Sequence, residues 1–253
     1  MSTVAVVIPV WNRAKTLGRA IEAALNQSAD EVVVINDAST DNSLAVAESY
    51  PVRTVSHAEK SDNWVQAMGP VFESLSSDYV VCMGADDVLY GDFAAAVKSA
   101  PGDLPGVAWS DYALLQEGDP PRQIDVRRYG YAETTRLSGE QFRSRVLANP
   151  GFRNECGVGA AIRRDLLLWL HSEDYWRLGP WSDSIGYTVA ALREGCVYVP
   201  EVHGGFVVAQ EKPSYHQEIL FSTDAKAALS DATNAWLRRP GIIDHIRGVT
   251  FSP

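Results

Sequence analysis

The sequence contains few of the residues that stabilise small folds through disulfides or bound metals. Among 253 residues there are three cysteines, Cys82, Cys156 and Cys196, which lie far apart and form no CxxC pair. This spacing argues against a zinc knuckle or a disulfide framework and predicts a reducing, cytoplasmic environment. There are five histidines and no HExxH motif, so a zinc protease is disfavoured.

Positive charge and long apolar runs are also scarce. The chain has 22 lysines and arginines against 32 aspartates and glutamates, a net charge of −10, which argues against a broad nucleic-acid-binding surface. A local basic segment with Arg122, Arg127 and Arg128 keeps an anionic acceptor, including nucleic acid, open as a partner. No apolar stretch approaches the roughly 18 residues of a membrane span. The N-terminal apolar run stops at Pro9 and predicts a strand, not a signal peptide.

Several common enzyme signatures are missing as well. The sequence has no GxGxxG after a strand, no GxxxxGK[ST] and no GxSxG, which disfavours dinucleotide oxidoreductases, P-loop NTPases and elbow-type serine hydrolases. What is present is an ordinary globular composition, 46% hydrophobic and 21% charged. The length allows one large domain or two small ones, and no linker composition divides it.

Apolar runs and helical repeats alternate along the chain, which predicts βαβ units and an α/β domain. The predicted strands are residues 4–8, 32–35, 53–56, 79–83, 107–109, 160–162 and 197–199. The predicted helices are residues 17–25, 43–48, 64–75, 91–97, 166–170, 185–193 and 223–236. The polar stretch 116–131 is predicted to be a loop.

Polar residues directly follow three of the predicted strands, in residues 9–13 (PVWNR), 36–41 (NDASTD) and 84–87 (GADD). Ligands bind beyond the carboxyl ends of parallel strands, so these segments predict one site. Two adjacent carboxylates, Asp86 and Asp87, repel each other at a buried strand end unless a cation lies between them. A divalent metal would supply that cation. The alternative is a turn that caps the next helix.

The other two segments offer groups suited to a nucleotide. Trp11 presents a flat face on which a base can stack, and Arg13 brings a cation toward phosphates. Asp37 can accept a hydrogen bond from a base or a ribose. Each has a structural alternative: Trp11 as a packed side chain, and Asp37 in an Asx turn.

Taken in order and spacing, these segments resemble the inverting glycosyltransferase family 2, which has the GT-A fold. The family pattern is roughly IPxYN, ILxNQ, VVVDDxSxD and YxxxLDxDD. It is matched by residues 8–12 (IPVWN), 25–27 (LNQ), 33–41 (VVINDASTD) and 79–87 (YVVCMGADD). The resemblance covers residues 4–90 well and continues faintly to 215.

This resemblance implies a mixed, mostly parallel sheet flanked by helices. It implies a GT-A domain over residues 1–215, with a nucleotide-binding half over about 1–100 and an acceptor-binding half over about 101–215. Residues 216–253 would form a helical extension packed on the same domain. That extension would either cover the acceptor site or mediate a homodimer.

The resemblance also implies transfer of a sugar from a UDP-sugar donor to a hydroxyl of a carbohydrate or other acceptor, with Mn²⁺ or Mg²⁺ as cofactor. Trp11 takes the place of the aromatic that stacks on uracil, and Asp37 that of the carboxylate that binds the base. Asp183 takes the place of the general base, with a helix N-cap as its alternative. The implied nucleotide-binding set is Pro9, Trp11, Asn12, Arg13, Asp37, Lys60, Asn63 and Asp86. The implied metal ligands are Asp86, Asp87 and His203.

The chain departs from the family pattern at several positions. Gly84 replaces the first aspartate of the acidic motif, Ser182 replaces a glutamate before Asp183, and Gly69 replaces a frequent asparagine. Residues 207–211 lack an Arg-x-His pair. Residues 154–159 are predicted to contact the donor sugar and acceptor, with a loop that leads into the strand at 160–162 as the alternative. Trp176 and Trp181 are predicted to stack on an acceptor sugar, with core packing as the alternative.

Two other functions stay open. A sugar nucleotidyltransferase has a glycine-rich loop after the first strand, which residues 9–13 lack. A catalytically silent nucleotide- or carbohydrate-binding protein would accommodate Gly84 and the missing basic pair.

Overall fold

The protein is described by a computed structural model that covers residues 2–100, 105–149, 157–208, 223–246 and 248–249. A mixed sheet of ten strands has the order β3-β2-β1-β4-β9-β6-β10-β5, with β7 paired to β6 and β8 paired to β10. The strands are β1 Val4–Val10, β2 Glu31–Asn36, β3 Arg53–Ser56, β4 Tyr79–Cys82, β5 Val88–Leu89, β6 Val107–Gln116, β7 Arg122–Arg127, β8 Thr135–Leu137, β9 Ala160–Arg163 and β10 Cys196–Val208. The helices are α1 Ala14–Leu25, α2 Ser43–Glu48, α3 Trp64–Ser74, α4 Phe93–Ser99, α5 Gly139–Ala148, α6 Arg164–Ser172, α7 Ser182–Glu194, α8 Thr223–Leu237 and α9 Pro240–Ile243, with a 3-10 segment over Tyr175–Trp181.

Strand β1 lies inside the sheet and pairs in parallel with β2 on one side and β4 on the other. Its alternate residues enter two different cores: Val6 and Ile8 join one apolar cluster, while Ala5 and Val7 join the other. Helices cover both faces, so every position except the half-buried Pro9 is buried and the strand is continuously apolar. The predicted α/β fold, with strands and helices alternating over the first 90 residues, is confirmed.

The second half of the sheet is less regular. Strand β9 is antiparallel to both of its neighbours, β4 and β6, whereas β10 runs parallel to β6 with register shifts around Val202. The predicted strands were too short here, because β6 continues to Gln116 and β10 to Val208. The predicted loop over 116–131 was wrong, since it contains β7. That strand pairs only with β6 among the described residues, and its side chains are mostly exposed. An exposed edge strand needs no apolar alternation, so no periodic signal marked it.

The described part of the C-terminal region contacts the end of α6 and the 3-10 segment. The indole nitrogen of Trp236 donates to the carbonyl of Glu173 at 2.6 Å, and Arg239 Nη2 lies 3.2 Å from Asp174 Oδ2. Ile242 is fully buried in the larger apolar cluster. The division of the chain at residue 215 stays a prediction, and residues 209–222 lie outside the described part.

Within the described ranges, no helix is long and apolar enough to cross a bilayer.

Candidate active site

The three polar segments predicted from the sequence meet at the carboxyl ends of β1, β2 and β4. These strands are direct neighbours and run parallel, so their ends share one edge of the sheet. The ladder continues past the strands, with the N–H of Asp37 donating to the carbonyl of Val10 at 2.9 Å. Pro9 still lies inside β1, opposite Ile35, and therefore forms part of the support beneath the site.

Asn12 joins the loop after β1 to the loop after β2. Its side-chain oxygen accepts from the N–H groups of Thr40 at 2.8 Å and Asp41 at 3.3 Å, and its own N–H donates to Ser39 Oγ at 3.1 Å. The residue has a φ of 53°, in the left-handed region that asparagine tolerates better than most residues. These bonds fix the backbone on which the neighbouring Trp11 and Arg13 are carried.

Trp11 is 47% exposed, so the alternative of a packed core side chain is wrong. The Nζ of Lys60 lies 4.6 Å from the centre of its ring, a cation–π contact. Arg13 Nε lies 3.4 Å from Asp86 Oδ2, an ion pair with both side chains partly exposed. Loops separated by many residues thus bring an aromatic face, two cations and a carboxylate to one surface.

Asp37 is buried, and its partners come from the loop after β3. Its Oδ1 accepts from His57 Nδ1 at 3.0 Å and from Ser61 Oγ at 2.8 Å, while the N–H of Ser61 lies 3.0 Å from Oδ1 and 3.2 Å from Oδ2. The predicted Asx-turn alternative is not what holds this carboxylate. His57, Lys60, Ser61 and Gln66 also line an open cavity of about 750 Å³.

Asn63 begins α3 and connects it to the 3-10 segment. Its side-chain oxygen accepts from the N–H of Gln66 at 3.0 Å, and its side-chain nitrogen donates to the carbonyl of Trp176 at 3.0 Å. The structure therefore places Asn63 as the N-cap of α3. The guanidinium of Arg177 lies over the ring of Trp176, 4.7 Å from the ring centre.

The acidic motif after β4 contains one buried and one partly exposed carboxylate. Asp87 Oδ2 accepts from the N–H of Gly84 at 3.0 Å, and Oδ1 accepts from the N–H of Val207 at 3.0 Å. Burial, and next the charge of Asp86, raise the pKa of Asp87 above its usual range. The helix-capping alternative is wrong, because Asp92 caps α4 through the N–H of Ala95.

Gly84 stands where the family pattern has the first aspartate of the acidic motif, and the structure shows what the glycine allows. A Cβ at this position would lie 2.8 Å from Asp87 Oδ2 and 3.0 Å from Asp86 Oδ1. A larger side chain at position 84 would therefore displace both carboxylates. The glycine lets Asp87 fold back onto the backbone of its own turn.

The structure does not group His203 with the other two predicted metal ligands. It lies inside β10, where Nδ1 donates to the carbonyl of Tyr90 at 3.1 Å and the ring packs 5.4 Å from that of Phe93. No group of three or more His, Cys, Asp and Glu side chains able to hold a metal occurs in the described ranges. A two-carboxylate set still fits Mg²⁺ or Mn²⁺, since such ions are often held by one or two carboxylates, with substrate phosphates and water completing the shell. Asp86, partly exposed, and Asp87 are the residues that would hold it.

Asp183 lies at the second position of α7 and is held by two backbone groups. Its Oδ2 accepts from the N–H of Gly157 at 2.8 Å and its Oδ1 from the N–H of Ser184 at 2.8 Å. The N-cap alternative is wrong, because Trp181 occupies the N-cap position of α7. A Cβ on Gly157 would lie 2.9 Å from Asp183 Oδ2 and 3.6 Å from the carbonyl of Cys82, the last residue of β4. The carboxylate thus lies beside the strand that leads into the acidic motif, and its charge adds to the rise in the pKa of Asp87.

The remaining predicted residues lie elsewhere or outside the described part. Trp181 packs against the larger core cluster. The basic segment is engaged within its own hairpin, where Arg122 contacts Gln116 and Arg128 contacts Asp111. Residues 154–156 and 209–211 are outside the described ranges, so the predicted donor loop and the absent basic pair have no structural description beyond Gly157–Gly159 and Val207–Val208.

Two residues near the site were not predicted. His57 and Ser61 follow β3 and bind Asp37. The rule that placed ligands after β1, β2 and β4 applies equally to β3, which is the signal that would have found them.

Residues 5–168 match the family described as Glycosyl transferase family 2. The chain belongs to this family. Two curated relatives match over 92 residues, 34% of this chain: an uncharacterized glycosyltransferase YibD of Escherichia coli (strain K12), 34% identical, and the glycosyltransferase GlyG of Streptococcus pneumoniae serotype 4, 26% identical. These matches span 26% and 31% of the relatives' own length, about a quarter to a third.

The fold is similar to GT-A glycosyltransferase structures over almost the whole chain. S. aureus TarS 1–349 in complex with UDP-GlcNAc matches with a TM-score of 0.68 and 15% identity, covering 99% of this chain and 68% of that one. Glucosyl-3-phosphoglycerate synthase from Mycobacterium tuberculosis, with Mn²⁺, UDP and glucosyl-3-phosphoglycerate, matches with a TM-score of 0.55 and 17% identity, covering 99% and 82%. The predicted fold class and family are confirmed.

Proposed function

We propose that this protein is a metal-dependent inverting glycosyltransferase that uses a UDP-sugar donor and a hydroxyl-bearing acceptor. One observation carries the proposal: an exposed aromatic face, a buried carboxylate and an acidic pair meet at one sheet edge, with a fourth carboxylate fixed beside them. Those groups are Trp11, Asp37, the pair Asp86 and Asp87, and Asp183. Family membership and the TarS and synthase complexes with UDP or UDP-GlcNAc support the choice of donor.

The donor would be held mainly by the first half of the chain. The base would stack on Trp11 after Lys60 leaves the ring, and Asp37 would accept a hydrogen bond from an N–H of the base. Arg13, freed from its partly exposed ion pair with Asp86, would meet the negative charge of the diphosphate. Such an exposed pair contributes little stability, so it can be exchanged for a phosphate at small cost.

The reaction would be a direct displacement at the anomeric carbon. The carboxylate of Asp183 would take the proton of the acceptor hydroxyl as its oxygen forms a bond to that carbon. The bond from the carbon to the diphosphate oxygen breaks at the same time, and UDP leaves with both electrons of that bond. Attack from the face opposite the leaving group inverts the configuration.

A divalent cation bound by Asp86 and Asp87 would neutralise charge on the departing diphosphate. This role also suits the electrostatics of the motif, because a cation would favour the ionised form of the buried Asp87. Backbone N–H groups from Gly84 and Val207 already orient that carboxylate.

The proposal is tested by calorimetric titration of UDP into the full chain, with Mn²⁺ and separately with EDTA. We expect binding that requires Mn²⁺ and weakens at least tenfold in Asp86→Asn. Asp125→Asn, which removes an exposed carboxylate on β7, is the matched control and is expected to bind as the wild type does.

Candidate UDP-sugars are then incubated with the protein, and release of UDP is followed. Turnover that depends on Mn²⁺ and on Asp183 would support the transferase. Binding of UDP without any turnover would favour the silent binding protein, and absence of binding with either metal or EDTA would refute the uridine assignment.

A further inference from the structure

The carboxylate of Asp37 is already held by three donor groups on the protein. His57 Nδ1, Ser61 Oγ and the Ser61 N–H all lie within 3.0 Å of Oδ1. An ionised carboxylate accepts hydrogen bonds but donates none, so Nδ1 of His57 carries a hydrogen. A carboxylate oxygen offers two lone pairs, and three donors exceed that capacity. Oδ1 is therefore saturated.

The other oxygen has capacity left. Among the contacts of the described residues, Oδ2 has one donor, the Ser61 N–H at 3.2 Å, and it shares that donor with Oδ1. Oδ2 is thus the atom of Asp37 that can accept a further donor from a ligand. Which oxygen stays available is decided by the two donor side chains on the loop after β3.

The position of His57 is itself fixed. Its backbone N–H donates to the carbonyl of Asn36 at 2.9 Å, which extends the β2–β3 ladder by one residue. Its side chain is 20% exposed and borders the open cavity together with Ser61. The residue is therefore anchored through its backbone, and its imidazole lies at the wall of this cavity while it contacts Asp37.

We propose that His57 and Ser61 are positioning residues that set the base specificity of the nucleotide site. They hold Asp37 with Oδ2 available as an acceptor, which selects a base that presents an N–H to it. Uracil carries a hydrogen on N3, whereas cytosine has an acceptor there that the carboxylate would repel. This inference rests on the proposed function, because it concerns the same nucleotide site.

The test is a titration of UDP and of CDP, each with Mn²⁺, into wild type and four variants of the full chain. The variants are His57→Ala, His57→Asn, His57→Gln and Ser61→Ala. Asparagine places an amide N–H near the position of Nδ1, while glutamine places it about one bond farther out. Ser144→Ala is the matched serine control, since Ser144 Oγ donates to the backbone carbonyl of Glu140 on the exposed face of α5.

We expect the wild type to prefer UDP over CDP, and His57→Ala to lower that preference by about tenfold, the scale of one hydrogen bond to a charged group. His57→Asn should restore most of the preference and His57→Gln should not. Ser61→Ala should lower it as well, and Ser144→Ala should leave it unchanged.

An equal loss of affinity for both nucleotides in His57→Ala and Ser61→Ala would mean that the loop is merely structural, and would overturn the inference. An unchanged preference in both variants would overturn it too. In either case Mn²⁺-dependent binding of UDP by the wild type leaves the proposed function standing. If the wild type binds neither nucleotide, both proposals fail.

Discussion

Replacing Asp183 with asparagine removes the proposed proton acceptor while changing the volume of the side chain very little. Both carboxylate oxygens accept a backbone N–H, from Gly157 at 2.8 Å and from Ser184 at 2.8 Å. Asparagine has one acceptor oxygen, so its NH₂ group must face one of these donors. One backbone hydrogen bond is therefore lost, and the NH₂ group meets an N–H donor in its place. Together these effects should lower the free energy of unfolding by about 1–3 kcal/mol.

The catalytic effect of the same change should be larger and separable. Loss of a general base lowers kcat by about 10²- to 10⁴-fold, which is about 3–5 kcal/mol in the activation barrier. A loss of stability alone leaves the kcat of the folded fraction unchanged. The assay is release of UDP from a UDP-sugar with water as acceptor, at a temperature where denaturant titration shows the variant to be folded. Binding of UDP itself should stay within about twofold of the wild type.

Asp30→Asn is the matched control. Asp30 Oδ2 accepts from the N–H of Val4 at 2.7 Å, at the opposite end of β1, roughly 20 Å from the site along a seven-residue strand. This variant should lose stability but keep the wild-type kcat. The assignment of Asp183 as the base is refuted if Asp183→Asn retains kcat within about threefold, or if Asp30→Asn lowers kcat as much.

Three further predictions follow from single contacts. Trp11→Ala should weaken UDP binding by about 1–3 kcal/mol, the scale of base–aromatic stacking, and Trp11→Phe should retain most of it in the same titration. Gly69→Ala should destabilise the protein by about 1–3 kcal/mol, because the new Cβ would lie 1.9 Å from His171 Nε2. This loss is expected even though alanine ordinarily favours a helix. Adding His171→Ala should recover the stability in thermal melts. The hydrogen bond from Lys98, and next that from the Val4 N–H, lower the pKa of Asp30 below its usual value. Its stabilising effect is therefore fully present above about pH 4 and lost as the pH falls through the folded-state pKa, so the difference in unfolding free energy between wild type and Asp30→Asn should shrink in acid.

The sequence was informative where the chain is locally periodic. The apolar run of β1 and the helical spacing of α1 are encoded within a dozen residues each, and their elements were predicted to within a few positions. The parallel order of β1, β2 and β4 follows from the alternation of strands and helices. Because parallel strands end at the same edge, the meeting of Trp11, Asp37 and Asp86 could be predicted from their positions directly after strands.

The lengths of strands in the second half could not be predicted in the same way. Strand β7 is exposed and polar, so it carries no apolar alternation, and it exists because β6 supplies a ladder for it. Strand β10 extends to Val208 for a similar reason, through its long pairing with β6. The existence of such strands depends on a neighbour that is remote in sequence.

What the sequence determined by itself is therefore the family, the α/β fold and the identity of most candidate residues. Tertiary structure alone decided the partners of those residues: His57 with Asp37 across 20 positions, and Asp183 with Gly157 across 26. It also decided that His203 is held by Tyr90 and that Trp11 is exposed beneath Lys60. Hydrophobic periodicity is a property of short segments, whereas a hydrogen bond between two loops depends on how the strands beneath them are placed. That placement exists only in the folded chain.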